Sequence, residues 1–280
     1  MAVPYVELKD KYGNDFCLGH CGDIFLPPFP FVKDFRQHVQ AIKDMDVKPN
    51  DVIITGYPKT GTHWHHEIIN MLIRGSSEYS KESEMPDFLD LKTPEKGSNP
   101  PGSDPRVFFT HLKFHHLPKQ VFEKKVKVVY LLRNPKDAWV SLYNHTRSHT
   151  GIMDYPGTWN QFFSLLTTFG FWYGDWFDYV LDWEKALATQ TDIPVFVSHF
   201  EDLKQKSWTS FWGYNRGRQL CEAIAEACKF TNLKVAKEKA VPEEMRKKYF
   251  KENSTGFYRK DPPPEVVRQS AKFRYSVLDE

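Results

Sequence analysis

A short apolar run, Val52-Ile53-Ile54, leads directly into two glycines, Gly56 and Gly61, with four residues between them. From His63 to Arg74 the apolar side chains Trp64, Ile68, Met71 and Leu72 then recur at helical spacing. A strand, a glycine-bounded loop and a helix in immediate succession form a turn in which backbone N–H groups and a helix N-terminus converge on an anion. In the Walker A loop, G-x-x-x-x-G-K-[ST], the lysine follows the second glycine and the hydroxyl holds magnesium. Here Lys59 lies between the glycines and Thr62-His63 follow Gly61. The lysine is thus placed to turn back into the loop, where its charge can do what a metal does for a nucleotide triphosphate. A phosphate ligand without an obligatory metal is expected.

The rest of the chain supplies partners for that first strand. Arg106 to Leu112, Val126 to Leu132 and Pro194 to Phe200 are short apolar runs of the kind buried in parallel sheets. Helical segments are expected over Val32 to Met45, Asn134 to Asn144 and Thr158 to Ala188. The alternation predicts an α/β fold, a P-loop-like doubly wound parallel sheet with helices on both faces, in which ligands lie beyond the carboxyl ends of the strands. With 280 residues, 40% of them hydrophobic, one domain spanning residues 1–280 is expected. Residues 1–30 read as an extended N-terminal arm closing on Pro27-Pro28-Phe29-Pro30, and 75–105 as a pocket-covering surface loop. Residues 262–280, after a break at Pro262-Pro263-Pro264, read as a charged tail.

Composition removes several classes of function. The 38 Lys and Arg against 36 Asp and Glu leave a net charge of +2, so no nucleic-acid partner is expected and any anion site must be local. The opening residues lack a basic segment followed by an apolar run, and nothing approaches the roughly 18 apolar residues of a membrane span. A cytoplasmic protein with reduced Cys17, Cys21, Cys221 and Cys228 is expected, without a membrane partner. The cluster Cys17, His20, Cys21 has no second ligand pair at finger spacing, so no metal is assigned.

Three strand ends carry useful chemistry together: the loop at Lys59, the pair Thr110-His111, and the segment from Arg133 to Ser141. Tyr57 through Trp64 match Y-P-K-[ST]-G-T-x-W, and Arg133 through Tyr143 match R-N-P-K-D-x-x-V-S-x-Y. With Tyr173-Gly174, Phe200-Glu201-Asp202 and Phe257-x-Arg259-Lys260, this pattern resembles the cytosolic sulfotransferases over roughly residues 30–261. The resemblance implies transfer of a sulfonyl group from 3′-phosphoadenosine 5′-phosphosulfate (PAPS) to a hydroxyl or amine of a small, apolar or phenolic acceptor, with release of the bisphosphate PAP and no metal. It implies that His111 is the general base, that Lys59 stabilises the leaving 5′-phosphate, and that Ser141 steers the lysine. Thr60, Gly61, Thr62, His63 and Trp64 would hold the 5′-phosphate. Arg133, Ser141, Arg259 and Lys260 would hold the 3′-phosphate, and Trp64 and Phe200 would stack on adenine. Thr231 and Leu233 fall at further nucleotide positions, and Phe35, Phe88 and His145 at acceptor-pocket positions.

The chain departs from the family pattern at particular residues. Phe109 stands where a lysine usually precedes Thr-His, Phe200 where a tyrosine meets adenine, and Asp261 where a glycine follows Arg-Lys. The usual C-terminal dimer motif is missing, so a monomer or a dimer through another surface is expected. A homologue that holds PAP or PAPS with weak turnover is the alternative to an active enzyme; a magnesium-dependent kinase would need the Lys-Ser/Thr pair that is missing. His65, His66, His115 and His116 match no functional position and are read as packing or surface. The aromatic stretch from Trp208 to Tyr214 has no counterpart in the motifs.

Overall fold

The computed structural model describes residues 5–80, 84–91, 104–190, 192–204, 217–240 and 243–252. Four parallel strands, β4 (Val52–Gly56), β5 (Val107–Thr110), β6 (Lys127–Leu132) and β7 (Val195–His199), form the central sheet in the order β5-β4-β6-β7. The chain therefore leaves β4 for one side of the sheet and returns on the other, which places a crevice at the carboxyl end of β4. β4 is buried along its whole length, as the uninterrupted apolar run predicts.

Side-chain alternation divides the sheet into two cores. Val52, Ile54, Val107, Phe109, Val129 and Leu131 face α2 (Thr62–Arg74) and α7 (Arg218–Ala227) through Ile68, Ile69, Met71, Leu72 and Ile224. Ile53, Phe108, Val128 and Tyr130 face the opposite way, with Trp139 and Leu142 of α4 (Pro135–Ser148), Phe162, Leu165 and Leu166 of α5 (Trp159–Thr168), and Tyr179 and Trp183 of α6 (Trp176–Thr189). The doubly wound arrangement with helices on both faces is thus present. Helix starts are fixed by side chains that accept from otherwise unpaired N–H groups: Asn134 takes Lys136 N–H at 3.0 Å, ahead of Pro135, and Asp175 takes Phe177 N–H at 2.7 Å.

Two expectations are corrected. The described part of the expected 1–30 arm, residues 5–30, is not an extended arm: β1 (Val6–Lys9), β2 (Asp15–Cys21) and β3 (Ile24–Leu26) make a three-stranded antiparallel meander. Its apolar Phe16, Leu18, Ile24 and Leu26 join the second core, alongside Phe35 and Val39 of α1 (Phe35–Lys43). The single helix over Thr158 to Ala188 is two helices, because Gly170, Tyr173 and Gly174 all adopt left-handed backbone angles between them. Cys17, Cys21, Cys221 and Cys228 are free thiols. Among the described residues no helix is long and apolar enough to cross a membrane. α8 (Phe230–Ala240) packs on α7, and α9 (Glu243–Tyr249) is the last described helix.

Candidate active site

At the carboxyl end of β4 the chain turns through Tyr57-Pro58-Lys59-Thr60 into Gly61, the N-cap of α2. Thr60 Oγ1 donates to the Tyr57 carbonyl at 2.8 Å and closes the turn. Gly61 has φ +100°, and a Cβ there would lie 2.8 Å from the Phe200 ring, so both conformation and space demand glycine. At Gly56 an added Cβ would meet Thr60 Oγ1 at 2.6 Å and Leu131 at 2.8 Å. Lys59 itself is left-handed at φ +70°, an arrangement that costs a non-glycine residue on the order of 1–3 kcal/mol and bends the chain back over the turn.

Arg133, just beyond β6, reaches into the same turn. Its Nη1 donates to the Lys59 carbonyl at 2.7 Å, and its guanidinium lies 4.0 Å from the Phe200 ring centroid. Phe200 follows β7, held by its N–H on the Leu132 carbonyl at 2.8 Å, and meets Trp64 of α2 at 5.5 Å with the rings 75° apart. Burial and the nearby Arg133 charge lower the Lys59 pKa from 10.5 to about 8. Burial also lowers that of Arg133. Two cations held close together and partly out of water form a site that an anion would relieve.

His111, one residue past β5, lies on the other side of the crevice and is buried. Its Nδ1 stands 2.7 Å from the Gly56 carbonyl, which can only accept, so the proton sits on Nδ1 and Nε2 carries the lone pair. Its backbone N–H donates to Asp90 Oδ2 at 2.8 Å, while the Thr110 hydroxyl donates to Asp90 Oδ1. Asp90 is fully buried, and burial raises its pKa to about 6. Phe88 and Tyr173 meet the imidazole edge-on at 5.5 and 5.1 Å. Burial lowers the His111 pKa to about 3, and the charges of His63 and Lys59 push in the same direction. His145 and His149, one turn apart on and just after α4, are lowered by burial and further by Lys59. The charge of Lys59 is thus felt at three imidazoles.

Lys59, Thr60, Gly61, Thr62, His63, Trp64, Arg133 and Phe200 are brought together around the turn, and Phe88 meets His111 on the base side, while His145 packs against His149 and Trp172. Ser141 is half-buried on α4. Thr231 is exposed and Leu233 buried on α8. Phe35 packs so tightly on Gly19 that a Cβ there would fall 2.3 Å from its ring, which gives it a core role. Phe109 is wholly buried, stacked on Phe88 at 4.8 Å and 6°, with His63 and His66 each 5.1 Å away at its edge. Glu84 accepts from His63 at 2.8 Å, and His66 pairs with Asp87 at 3.0 Å, so the segment 84–91 is fastened onto α2. Arg259, Lys260, Asp261, the 208–214 stretch and the tail 262–280 lie outside the described residues.

Sequence reasoning gave no role to Asp90 or Tyr173. Asp90 had one signal, a lone acid in Phe88-Leu89-Asp90-Leu91. His65 is a packing residue as expected, spanning the Gly61 carbonyl and Ser198 Oγ at 2.9 Å each.

The chain is similar in sequence and fold to known proteins. Residues 49–263 match the sulfotransferase domain family. The chain belongs to the sulfotransferase family. Mouse sulfotransferase 1A1 is 30% identical over 223 residues, 73% of this chain and 74% of the relative. Mouse sulfotransferase 1B1 is 33% identical over 190 residues, 63% of this chain and 61% of the relative. Among solved structures, mouse sulfotransferase SULT7A1 complexed with PAP superimposes with a TM-score of 0.65 at 22% identity, over 93% of this chain and 96% of that one. Retinol dehydratase in complex with androsterone and inactive cofactor PAP gives 0.67 at 17% identity, over 99% and 91%. These distant structures share the sulfotransferase fold.

Proposed function

We propose that this sulfotransferase moves the sulfonyl group of PAPS to the hydroxyl, or amine, of a small apolar or phenolic acceptor, without a metal. The observation that carries the reading is the pairing across one crevice of a cationic turn, Lys59 with Arg133, and an imidazole, His111, fixed on the Gly56 carbonyl with its Nε2 lone pair available. Both solved relatives named above hold PAP, which agrees with a nucleotide at the turn.

In the proposed reaction the acceptor oxygen forms a bond to sulfur as the bond from sulfur to the bridging phosphate oxygen breaks. The acceptor proton passes to His111 Nε2, and PAP departs carrying the negative charge that Lys59 faces. Loose transfers of this kind depend on positioning and cations more than on covalent chemistry. At a pKa of about 8 Lys59 is protonated at neutral pH. His111 is neutral and so able to accept a proton; an anionic donor beside it would raise its basicity above that of the empty pocket.

The N–H groups from Thr60 to Trp64 would hold the 5′-phosphate at the start of α2, with Ser141 steering Lys59. Arg133, with Ser141 and then Arg259 and Lys260, would take the 3′-phosphate through charged hydrogen bonds. Trp64 and Phe200 would grip adenine, with Thr231 and Leu233 at its outer edge. Phe88 and His145 would touch the acceptor; Phe35 would act through the packing behind them.

Phe109 favours a second reading, a homologue that binds PAPS and turns over weakly, because an apolar ring stands before Thr110-His111 in place of a cation. Transfer of labelled sulfonate from PAPS to a panel of phenols, steroids and alkanols in the presence of EDTA separates the two. Labelled product in chelator is expected. Nucleotide binding without product across the panel would favour the second reading, and activity only with Mg²⁺ and ATP would sink both.

A further inference from the structure

Just after β5 and packed against α6, a short 3-10 turn Phe114–His116 presents two adjacent imidazoles toward the β2–β3 turn. His115 Nε2 lies 3.2 Å from Asp23 Oδ2, and His116 Nε2 lies 3.0 Å from the same oxygen. The three ligand atoms lie within 4.8 Å of one another. In a tetrahedral site with metal–nitrogen and metal–oxygen bonds of roughly 2.0–2.2 Å, neighbouring ligand atoms stand about 3.3 Å apart. Two of the three separations are therefore already close to those of a coordinated ion.

Proton counting adds a separate argument. His115 Nδ1 faces Asp182 Oδ1 at 2.6 Å, so both of its ring nitrogens point at carboxylate oxygens. A neutral imidazole has only one N–H, and a carboxylate only accepts. If Nδ1 donates its proton to Asp182, the Nε2 lone pair is left against the Asp23 oxygen, and either a second proton or a metal ion must lie between them. Asp182 is itself anchored, its Oδ2 accepting Phe114 N–H at 2.9 Å. An imidazole that ligates through one nitrogen and donates to a carboxylate through the other is the usual support of a zinc-binding histidine.

We propose that Asp23, His115 and His116 form a binding site for a zinc-class divalent ion, with Asp182 orienting His115 and water completing the coordination. The site is separate from the transfer chemistry: the hydrogen bonds of these four residues reach neither Lys59, Arg133 nor His111. Its effect is to clasp the N-terminal meander to the turn after β5 and to α6, three segments remote in sequence. Two residues past Asp23, the Phe25 carbonyl accepts Tyr173 N–H at 2.6 Å, and Tyr173 packs on His111. The clasp therefore anchors the strand that holds one wall of the base pocket.

Cobalt(II) is a direct probe, because tetrahedral nitrogen and oxygen ligation gives visible d–d absorption without the ultraviolet charge-transfer band of a thiolate. Titration of the full chain with Co²⁺ near neutral pH should show one equivalent bound, displaced by Zn²⁺. His115→Ala removes a half-exposed side chain and Asp23→Asn keeps its shape, so both variants should fold as the wild type does by circular dichroism and lose the band. Asp182→Asn should weaken binding about 10–100-fold. Absence of the band in the wild type, a thiolate charge-transfer signature, or undiminished binding in His115→Ala and Asp23→Asn would each overturn the site. In the first case the two histidines are only a protonated clasp on Asp23.

Discussion

The two sides of the crevice are built in opposite ways. The turn at Lys59 is made from one contiguous segment, and what positions it is mostly backbone: left-handed angles at Lys59 and Gly61, the Thr60 closure, the start of α2. The corner around His111 is assembled from four separated stretches, with Gly56, Asp90, His111 and Tyr173 meeting through side-chain contacts and a bridge between Phe88 and Phe109. The first side is suited to a ligand that stays the same from reaction to reaction. Apart from Gly56, which belongs to both sides and tolerates no side chain, the second can change by substitution on its other stretches without disturbing the anion turn.

The sharpest way to test that contrast is at the turn, where binding and rate should fail together. Lys59→Met is expected to lose both PAP affinity and transfer beyond measurement, since the same cation serves the ground state and the leaving phosphate. It should also change how stability depends on pH. Between the folded pKa of about 8 and the ordinary 10.5 the unfolded chain binds more protons, so wild-type stability gains from this group as pH rises through that window. That gain should vanish in the variant when urea midpoints are compared across the window. A Met variant that keeps the wild-type pH dependence would mean that another group titrates in that window.

Arg133→Ala should cost about 2–4 kcal/mol in binding PAP and much less for a nucleotide lacking the 3′-phosphate, because the forked donor is lost only to the first ligand. Calorimetry with both nucleotides measures it. Equal losses would move Arg133 out of the phosphate site and leave it as a brace for the Lys59 carbonyl and the Phe200 ring.

On the other side, Asp90→Asn keeps one acceptor for Thr110 or the His111 N–H and loses the charge. A rate lower by roughly tenfold with PAP affinity unchanged is expected, the worth of one hydrogen bond to a charged group. A fall in PAP affinity of the same size would show that the two sides are one rigid unit.

The same contrast explains what could be read from the chain beforehand. The β4 turn, the four parallel strands and α2 were visible because apolar runs and glycine spacing are local. Asp90 and Tyr173 were not, because a buried carboxylate gains its meaning from the strand that the Phe88–Phe109 bridge brings beside it. The meander did carry a signal, Asp10-Lys11-Tyr12-Gly13-Asn14, where the Asp10 carboxylate accepts two backbone N–H groups and Gly13 has φ +84°. Of its strands β1 and β3 are short, and the prolines that follow suggested an extended arm instead. The helix break had Gly170 and Gly174 as markers, masked by the aromatic periodicity on either side of them.

The central claim is that the anion turn binds and the imidazole across from it abstracts the proton. Single-turnover transfer from labelled PAPS by His111→Asn, with PAP affinity measured on the same sample, tests it most directly. The expected result is a rate lower by about 10²–10⁴-fold with PAP affinity within a few-fold of wild type. A variant that keeps most of its rate would contradict the claim.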